Sequence, residues 1–324
     1  MKAAVHTRYG PPDVVRVIEV EKPAPKDGEV LVKVHATTVN RTDSGYRSAK
    51  PFLSRFFTGL LRPRDTVLGN EFAGEVEAVG PGVTAFAVGD RVFGFRGPPY
   101  GAHAEYLTIA QDGTIATIPD GLSYEQAAPS TEGSHYALTA IRSAGVRSGQ
   151  DVLVHGATGA IGSAAVQLLK SMGARVTAVT FTQYVELVKS LGADRVIDST
   201  AEDFTRDGQT YDLVLDAVGK STFGACRRVL KPRGIYTSTD PGPYWQNAVL
   251  VPVTPLFRGR RVTFSVPKID QATVIYFKDL IESGQFRPLV DRTYPLDRIV
   301  EAYRYVETGR KVGNVVIRVV PPDR

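Results

Sequence analysis

A single cysteine, Cys226, in 324 residues leaves no intramolecular disulfide and no zinc site built from clustered thiolates. Its scarcity points to a reducing, cytoplasmic setting. No segment approaches the roughly 20 consecutive apolar residues of a membrane-spanning helix. The N-terminus, Met1-Lys2-Ala3-Ala4-Val5-His6, turns polar at once, unlike a signal peptide. The expectation is a protein with no integral membrane segment that is not exported by that route. Blocks of like charge are missing too. The net charge of +5 comes from basic residues scattered along the chain, which argues against nucleic acid as a partner. Internal repeats and low-complexity tracts are absent.

Hydrophobic residues at 43% and charged residues at 23% match ordinary globular usage, and the length exceeds what one core usually supports. Two domains of an α/β protein follow. Residues 1–121 read as a barrel-like module of short strands: Glu29-Val30-Leu31-Val32-Lys33-Val34 alternates, and Gly69, Gly74, Gly80, Gly82, Gly89 and Gly94 punctuate what comes after. From Leu122 apolar runs alternate with helical stretches, which predicts a doubly wound parallel sheet over residues 122–270. Strands are expected at 151–155, 175–179, 196–198, 211–217, 235–238 and 261–266, with helices at 161–172 and 185–191. A helix at 271–283 opens a mixed tail ending in a strand at 315–320. This tail, 271–324, is expected to complete the first domain.

The strongest motif is Gly156-Ala157-Thr158-Gly159-Ala160-Ile161-Gly162, set directly between a strand and a helix. Missing side chains there let the backbone approach a pyrophosphate, and the helix N-terminus attracts its charge. Gly156, Thr158, Gly159, Ala160 and Ile161 are therefore candidate dinucleotide-binding residues, joined by Ala217 and Val218 at the end of a later strand. A carboxylate closing the second strand would select NAD by pairing with the ribose 2′-hydroxyl. Thr180, Phe181, Thr182, Gln183 and Tyr184 stand there instead, so NADPH is favoured and NADH not excluded. The stretch has no Lys or Arg either. Thr180, Thr182, Gln183 and Tyr184 are left to hold the ribose end, while Arg310 and Lys311 either reach over from the tail or form a solvated turn.

Further segments run Gly28-Glu29-Val30-Leu31-Val32-Lys33-Val34, Val39-Asn40-Arg41-Thr42-Asp43, Leu68-Gly69-Asn70-Glu71-Phe72-Ala73-Gly74-Glu75-Val76 and Val88-Gly89-Asp90-Arg91-Val92-Phe93-Gly94. After the glycine-rich turn come Leu191-Gly192-Ala193-Asp194 and Leu230-Lys231-Pro232-Arg233-Gly234. In this order, over nearly its whole length, the chain resembles the zinc-independent, quinone oxidoreductase-like (zeta-crystallin-like) branch of the medium-chain dehydrogenase/reductase family. The resemblance implies a GroES-like β-barrel catalytic domain plus a Rossmann domain, with the active site in the cleft between them. Zinc-dependent relatives place a Cys where this chain has Asn40 and a His where it has Asn70, and their four-cysteine loop is missing here, so no metal is expected. Without a Lewis acid, hydride transfer to a quinone or an α,β-unsaturated carbonyl is the implied reaction.

The resemblance implies that Asn40 borders the nicotinamide and substrate, where its amide could orient a carbonyl oxygen; equally, Asn40 caps a turn or helix with Asp43. Thr139 matches a position that approaches the cofactor, or else packs on its helix. Tyr46 and His135 are proton-donor candidates by their chemistry. The tyrosine of some relatives falls one place earlier, where Gly45 stands, and a quinone could be protonated by water. Residues 51–64 interleave Phe52, Leu53, Phe56, Phe57, Leu60 and Leu61 with Arg55, Arg62 and Arg64. That spacing suits core packing first, and otherwise a lid over an apolar substrate or a membrane-surface contact. A homodimer paired along the strand at 261–266 is expected by analogy. Two other readings stay open: a zinc-free carbonyl or enoyl reductase of a metabolite, and a cofactor-poor structural or regulatory protein with the same fold.

Overall fold

The computed structural model describes residues 1–50, 52–257, 259–264 and 266–320, with only the backbone of Leu53. The chain forms two compact units. One comprises Met1–Glu132, Ile269–Ser283 and the chain from Pro288 onward; the other comprises Gly133–Lys268 and Gly284–Arg287.

In the first unit, β1 (Lys2–Val5) and β2 (Arg16–Glu19) form an antiparallel pair. The long β3 (Glu29–Val39) leads into α1 (Arg41–Ser48) and the single turn α2 (Arg55–Thr58). Then come β4 (Glu71–Val79), β5 (Arg91–Phe95), β6 (Tyr106–Ala110) and β7 (Ile115–Thr117), all in antiparallel ladders. A short α3 (Tyr124–Ala127) precedes α4 (Glu132–Ala144), whose first residue ends this stretch of the unit.

The second unit runs through β8 (Asp151–His155), α5 (Ala160–Ser171), β9 (Arg175–Thr180), α6 (Val185–Ser190) and β10 (Arg195–Asp198). It continues with β11 (Tyr211–Asp216), α7 (Phe223–Cys226), β12 (Leu230–Ser238), α8 (Gln246–Val253) and β13 (Arg261–Thr263). Every ladder is parallel, in the order β10-β9-β8-β11-β12-β13. The order reverses between β8 and β11, which makes the carboxyl end of β8 the switch point where doubly wound sheets bind ligands. Val152, Leu153 and Val154 of β8 are buried on both faces, as a central parallel strand requires.

The chain then returns to the first unit with α9 (Gln271–Glu282), β14 (Val290–Pro295), α10 (Ile299–Glu307) and β15 (Asn314–Arg318). β15 pairs antiparallel with β3 and extends that sheet to seven strands, β14-β15-β3-β4-β5-β7 with β6 also on β3. Ile299, Ala302, Tyr303 and Val306 form one apolar face of α10 and pack on Val30, Val32, Phe72 and Val92.

Residues 122–132, expected to open the nucleotide-binding domain, belong to the first unit: Leu122, Tyr124, Ala127 and Ala128 pack with Ala36, Ala73 and Phe93. The change of texture at Leu122 marks a change of secondary structure, and packing sets the boundary later. The strand expected over 261–266 is seen over Arg261–Thr263, and residue 265 lies outside the described residues. Among the described residues, no helix is long and apolar enough to cross a membrane.

Candidate functional site

At the switch point the turn after β8 is shaped by its glycines. Gly156 has φ +81°, and a Cβ there would lie 2.4 Å from Val218 Cγ1. At Gly162 a Cβ would lie 2.1 Å from the Gly156 carbonyl oxygen. Gly159 is the N-cap of α5 and offers no side chain to its first N–H groups, while Thr158, Gly159, Ala160 and Ile161 stay partly exposed. Such a cradle fits a pyrophosphate. Ala217 and Val218 follow Asp216, which accepts hydrogen bonds from the N–H groups of Val218, Gly219 and Ser221 and from His155 Nδ1. Burial pushes the Asp216 carboxyl up, but these donors outweigh it and hold the group below the usual range.

Thr180 closes β9, buried, with a hydroxyl that has no partner among the described residues. Thr182 and Gln183 are exposed, and Tyr184 is half-buried. The expectation that no carboxylate stands near this ribose-binding end is corrected by the sheet. β10 lies beside β9 with Asp198 opposite Thr180, and Asp198 accepts from Thr200, whose hydroxyl is 2.6 Å from that of Thr182. Strand pairing supplies a charge that the residues following Val179 do not carry. A cavity of about 220 Å³ opens at the carboxyl ends of β12 and β13, lined by Tyr136, Ala140, Thr237, Thr239, Phe264 and Val266. Thr139, half-buried, is on α4 beside it in sequence. His135, buried on the same helix, tilts against Tyr136. A second cavity, about 300 Å³, lies at the amino ends of the strands beside Asp212 and Arg233, away from the ligand-binding edge.

The first unit buries a polar cluster where β3 ends and β4 begins. Asn40 caps α1: Oδ1 accepts from the Asp43 N–H at 3.0 Å, and the Asp43 carboxylate accepts from the Asn40 N–H at 3.0 Å. The capping role is thus realised. Asn40 Nδ2 also donates to Asn70 Oδ1 at 2.8 Å. Glu71 accepts from Thr38 Oγ1 at 2.6 Å, from Thr131 N and Oγ1 at 2.9 and 3.0 Å, and from Glu132 N at 2.6 Å. Thr42 Oγ1 donates to Glu132 Oε1 at 2.6 Å. Burial, with the Glu71 charge adding to it, pushes Asp43 and Glu132 up to about 8. Burial likewise pushes His103 down to about 4, and the neutral ring donates from Nε2 to Thr38 O at 2.7 Å.

Lys311 does not form the solvated turn weighed for it. It is only partly exposed, its ammonium donates to Gly313 O, and burial pushes it down to about 8 against the pull of Glu71 and Asp291. Arg310 is exposed. Tyr46 is half-buried against Tyr100, ring centroids 5.1 Å apart. Asn40, Tyr46, Arg310 and Lys311 therefore belong to one unit, and His135, Thr139 and the glycine turn to the other. Core packing of residues 51–64 is also corrected. Phe52, Phe56, Phe57, Leu60 and Leu61 are all exposed, while the Tyr9 hydroxyl pins the turn at Thr58 and Gly59 O, 2.7 Å each. Pro51 and the Leu53 side chain lie outside the described residues. Among the described residues no group of three or more His, Cys, Asp or Glu is arranged to hold a metal.

A glycine cradle at the switch point of a wholly parallel sheet, joined in one chain to a mainly antiparallel unit with a buried carboxyl cluster, defines a two-unit dinucleotide-dependent oxidoreductase. The family model for the alcohol dehydrogenase GroES-like domain matches residues 26–120, and that described as zinc-binding dehydrogenase matches residues 191–317. The chain is 33% identical to a 2-methylene-furan-3-one reductase of Solanum lycopersicum, over 99% of the chain and 80% of that protein. It is 30% identical to a quinone oxidoreductase of Pseudomonas aeruginosa, over 95% of the chain and 97% of that protein. The solved quinone oxidoreductase of Coxiella burnetii matches with a TM-score of 0.87 at 29% identity, over 99% of both chains. A mycobacterial structure complexed with NADPH matches with a TM-score of 0.81 at 29% identity, over 98% of this chain and 100% of that one. The chain belongs to the medium-chain dehydrogenase/reductase family, in its quinone oxidoreductase-like branch.

Proposed function

We propose that this protein is an NADPH-dependent reductase that transfers a hydride to a quinone or an α,β-unsaturated carbonyl without zinc. The observation that carries the reading is the cradle of Gly156 and Gly162 with the open N-terminus of α5, which a side chain would fill. When bound, the reduced nicotinamide would supply the hydride. Gly156, Thr158, Gly159, Ala160 and Ile161 would hold the pyrophosphate, and Thr180, Thr182 and Tyr184 the adenosine ribose. A hydroxyl at the end of β9, in place of a carboxylate, supports NADPH, whereas Asp198 gives NADH a specific footing. The neutral amides of Asn40 and Asn70, bonded to each other, are poor zinc ligands and support metal-free chemistry. Relatives named for an enone-type and for a quinone acceptor support both substrate classes. A homodimer is supported by β13, which among the described residues pairs only with β12 and is followed by the exposed Phe264 and Val266. The buried lone Cys226 suits a reducing, cytoplasmic home. Titration with NADPH and NADH, followed by nicotinamide fluorescence, tests the reading. Binding of neither sinks it and favours the structural or regulatory alternative.

A further inference from the structure

Residues 54–64 carry three arginines, no carboxylate, and four large apolar side chains within six positions: Phe56, Phe57, Leu60 and Leu61. All four are exposed, Phe57 and Leu61 at 80% and 86%. Single exposed apolar residues are ordinary on a protein surface, whereas a run of bulky ones marks a surface that meets something apolar. The backbone holds this run outward. The Arg55 carbonyl accepts from the Gly59 N–H at 2.9 Å and the Thr58 carbonyl from the Arg64 N–H at 2.8 Å, so the chain leaves α2 and returns to it. Tyr9 pins the base of the loop: its hydroxyl lies 2.7 Å from both Thr58 Oγ1 and Gly59 O, and the Arg55 guanidinium sits over its ring at 4.8 Å. The base is fixed and the apolar tips stand in water.

The charge around those tips has one sign. Arg62 and Arg64 are exposed and Arg55 is half-buried; Lys50, ahead of the segment, and Arg8, next to the pinning Tyr9, are exposed as well. Asp65, the first carboxylate after the segment, is half-buried and accepts from the Tyr100 N–H. We propose that this loop docks the protein on an anionic phospholipid bilayer, with Phe56, Phe57, Leu60 and Leu61 entering the acyl boundary and Arg62 and Arg64 meeting the phosphates. Two features select a lipid surface over another protein. The tips stand clear of the rest of the chain, and a bilayer takes up such side chains without a shaped partner. Arg62 directly follows the leucines, so its stem can stay in the apolar layer while the guanidinium reaches the headgroups. With α2 a single turn, the contact is a shallow one.

The test sediments the full chain with vesicles of phosphatidylcholine alone and of phosphatidylcholine mixed with phosphatidylglycerol. It partitions onto the mixed vesicles at least about tenfold better than onto the neutral ones, and less so as salt is raised. Phe57→Ser combined with Leu61→Ser removes the binding, while Arg62→Gln and Arg64→Gln each weaken it about fivefold on the mixed vesicles only. All four side chains are exposed, so the thermal midpoint of each variant stays that of the wild type. Cys226 is buried, so Leu61→Cys takes a single environment-sensitive label, whose emission shifts to the blue on the mixed vesicles. Wild-type protein that ignores the mixed vesicles, or a double serine variant that still binds them, would overturn the proposal. So would a double serine variant with an altered oligomeric state and intact vesicle binding, which assigns the loop to a second copy. A raised KM for a soluble quinone with no vesicle binding in the wild type assigns it to the substrate instead and equally overturns the proposal. None of these outcomes decides whether the protein oxidises NADPH, by which the reductase reading stands or falls.

Discussion

Asp198 and Arg47 show what single residues contribute. Asp198 is a carboxylate one strand away from Thr180, and hydrogen bonds from Thr182 and Thr200 keep it charged. A negative charge there repels a 2′-phosphate, so Asp198→Asn is expected to lower the KM for NADPH a few-fold and leave that for NADH unchanged or raised. Steady-state kinetics with both cofactors checks this. Arg47 is fully buried, donates to Gly10 O and to Glu307, and lies over the Tyr303 ring at 5.0 Å. Arg47→Ala strands these acceptors and is expected to cost about 3 kcal/mol in urea unfolding. Arg47→Lys should not rescue, because one ammonium cannot serve both partners. Asn40 was legible in the sequence as a helix cap, and the cap is what the geometry displays. Asn70 was legible only as a replaced ligand position. Glu132 was not legible at all, because its partners come from the ends of β3 and β4 and from α1, and one-dimensional spacing does not show which distant side chains share a dry site.

At the scale of elements, the close approach of α5 to the turn after β8 leads to a prediction. A Cβ at Gly162 meets the Gly156 carbonyl oxygen at 2.1 Å, so Gly162→Ala must displace either the helix or the cradle. The expected outcome is a Kd for NADPH raised at least about tenfold, a loss of ~1.4 kcal/mol, measured by fluorescence titration. The parallel strands were readable because β8, β9 and β11 are short apolar runs buried on both faces, bounded by turns. Residues 51–64 were misread for the opposite reason. Spacing shows that apolar residues share a face, but not that the face turns outward, as Phe56, Phe57 and Leu61 do. The seam at residues 122–132 was hidden because a helix looks the same in sequence whichever unit it packs on.

For the whole molecule, the buried titratable groups set how stability depends on pH. Asp43 and Glu132 keep their protons up to about 8 in the folded chain, whereas free carboxyl groups lose theirs near 4. Between those values the folded state binds more protons, so this stabilisation is complete below about 4 and is lost as pH rises toward 8. His103, pushed down to about 4, acts oppositely, but only up to the free imidazole value of ~6.5. Lys311, pushed down to about 8, adds stability only above that pH. From about pH 6.5 to 8 the carboxyl groups therefore dominate. The thermal midpoint is expected to fall across that window, and to fall less in Glu132→Gln, as calorimetry at several pH values would show. A nicotinamide-dependent reductase must both bind a reduced nicotinamide and oxidise it with an acceptor. The most direct test follows oxidation of NADPH, and separately of NADH, with a small cyclic enone and with 1,4-benzoquinone. Saturable binding of NADPH and its oxidation with at least one of the two acceptors are expected; a folded protein that binds neither cofactor, or binds and never oxidises it, would contradict the reductase reading.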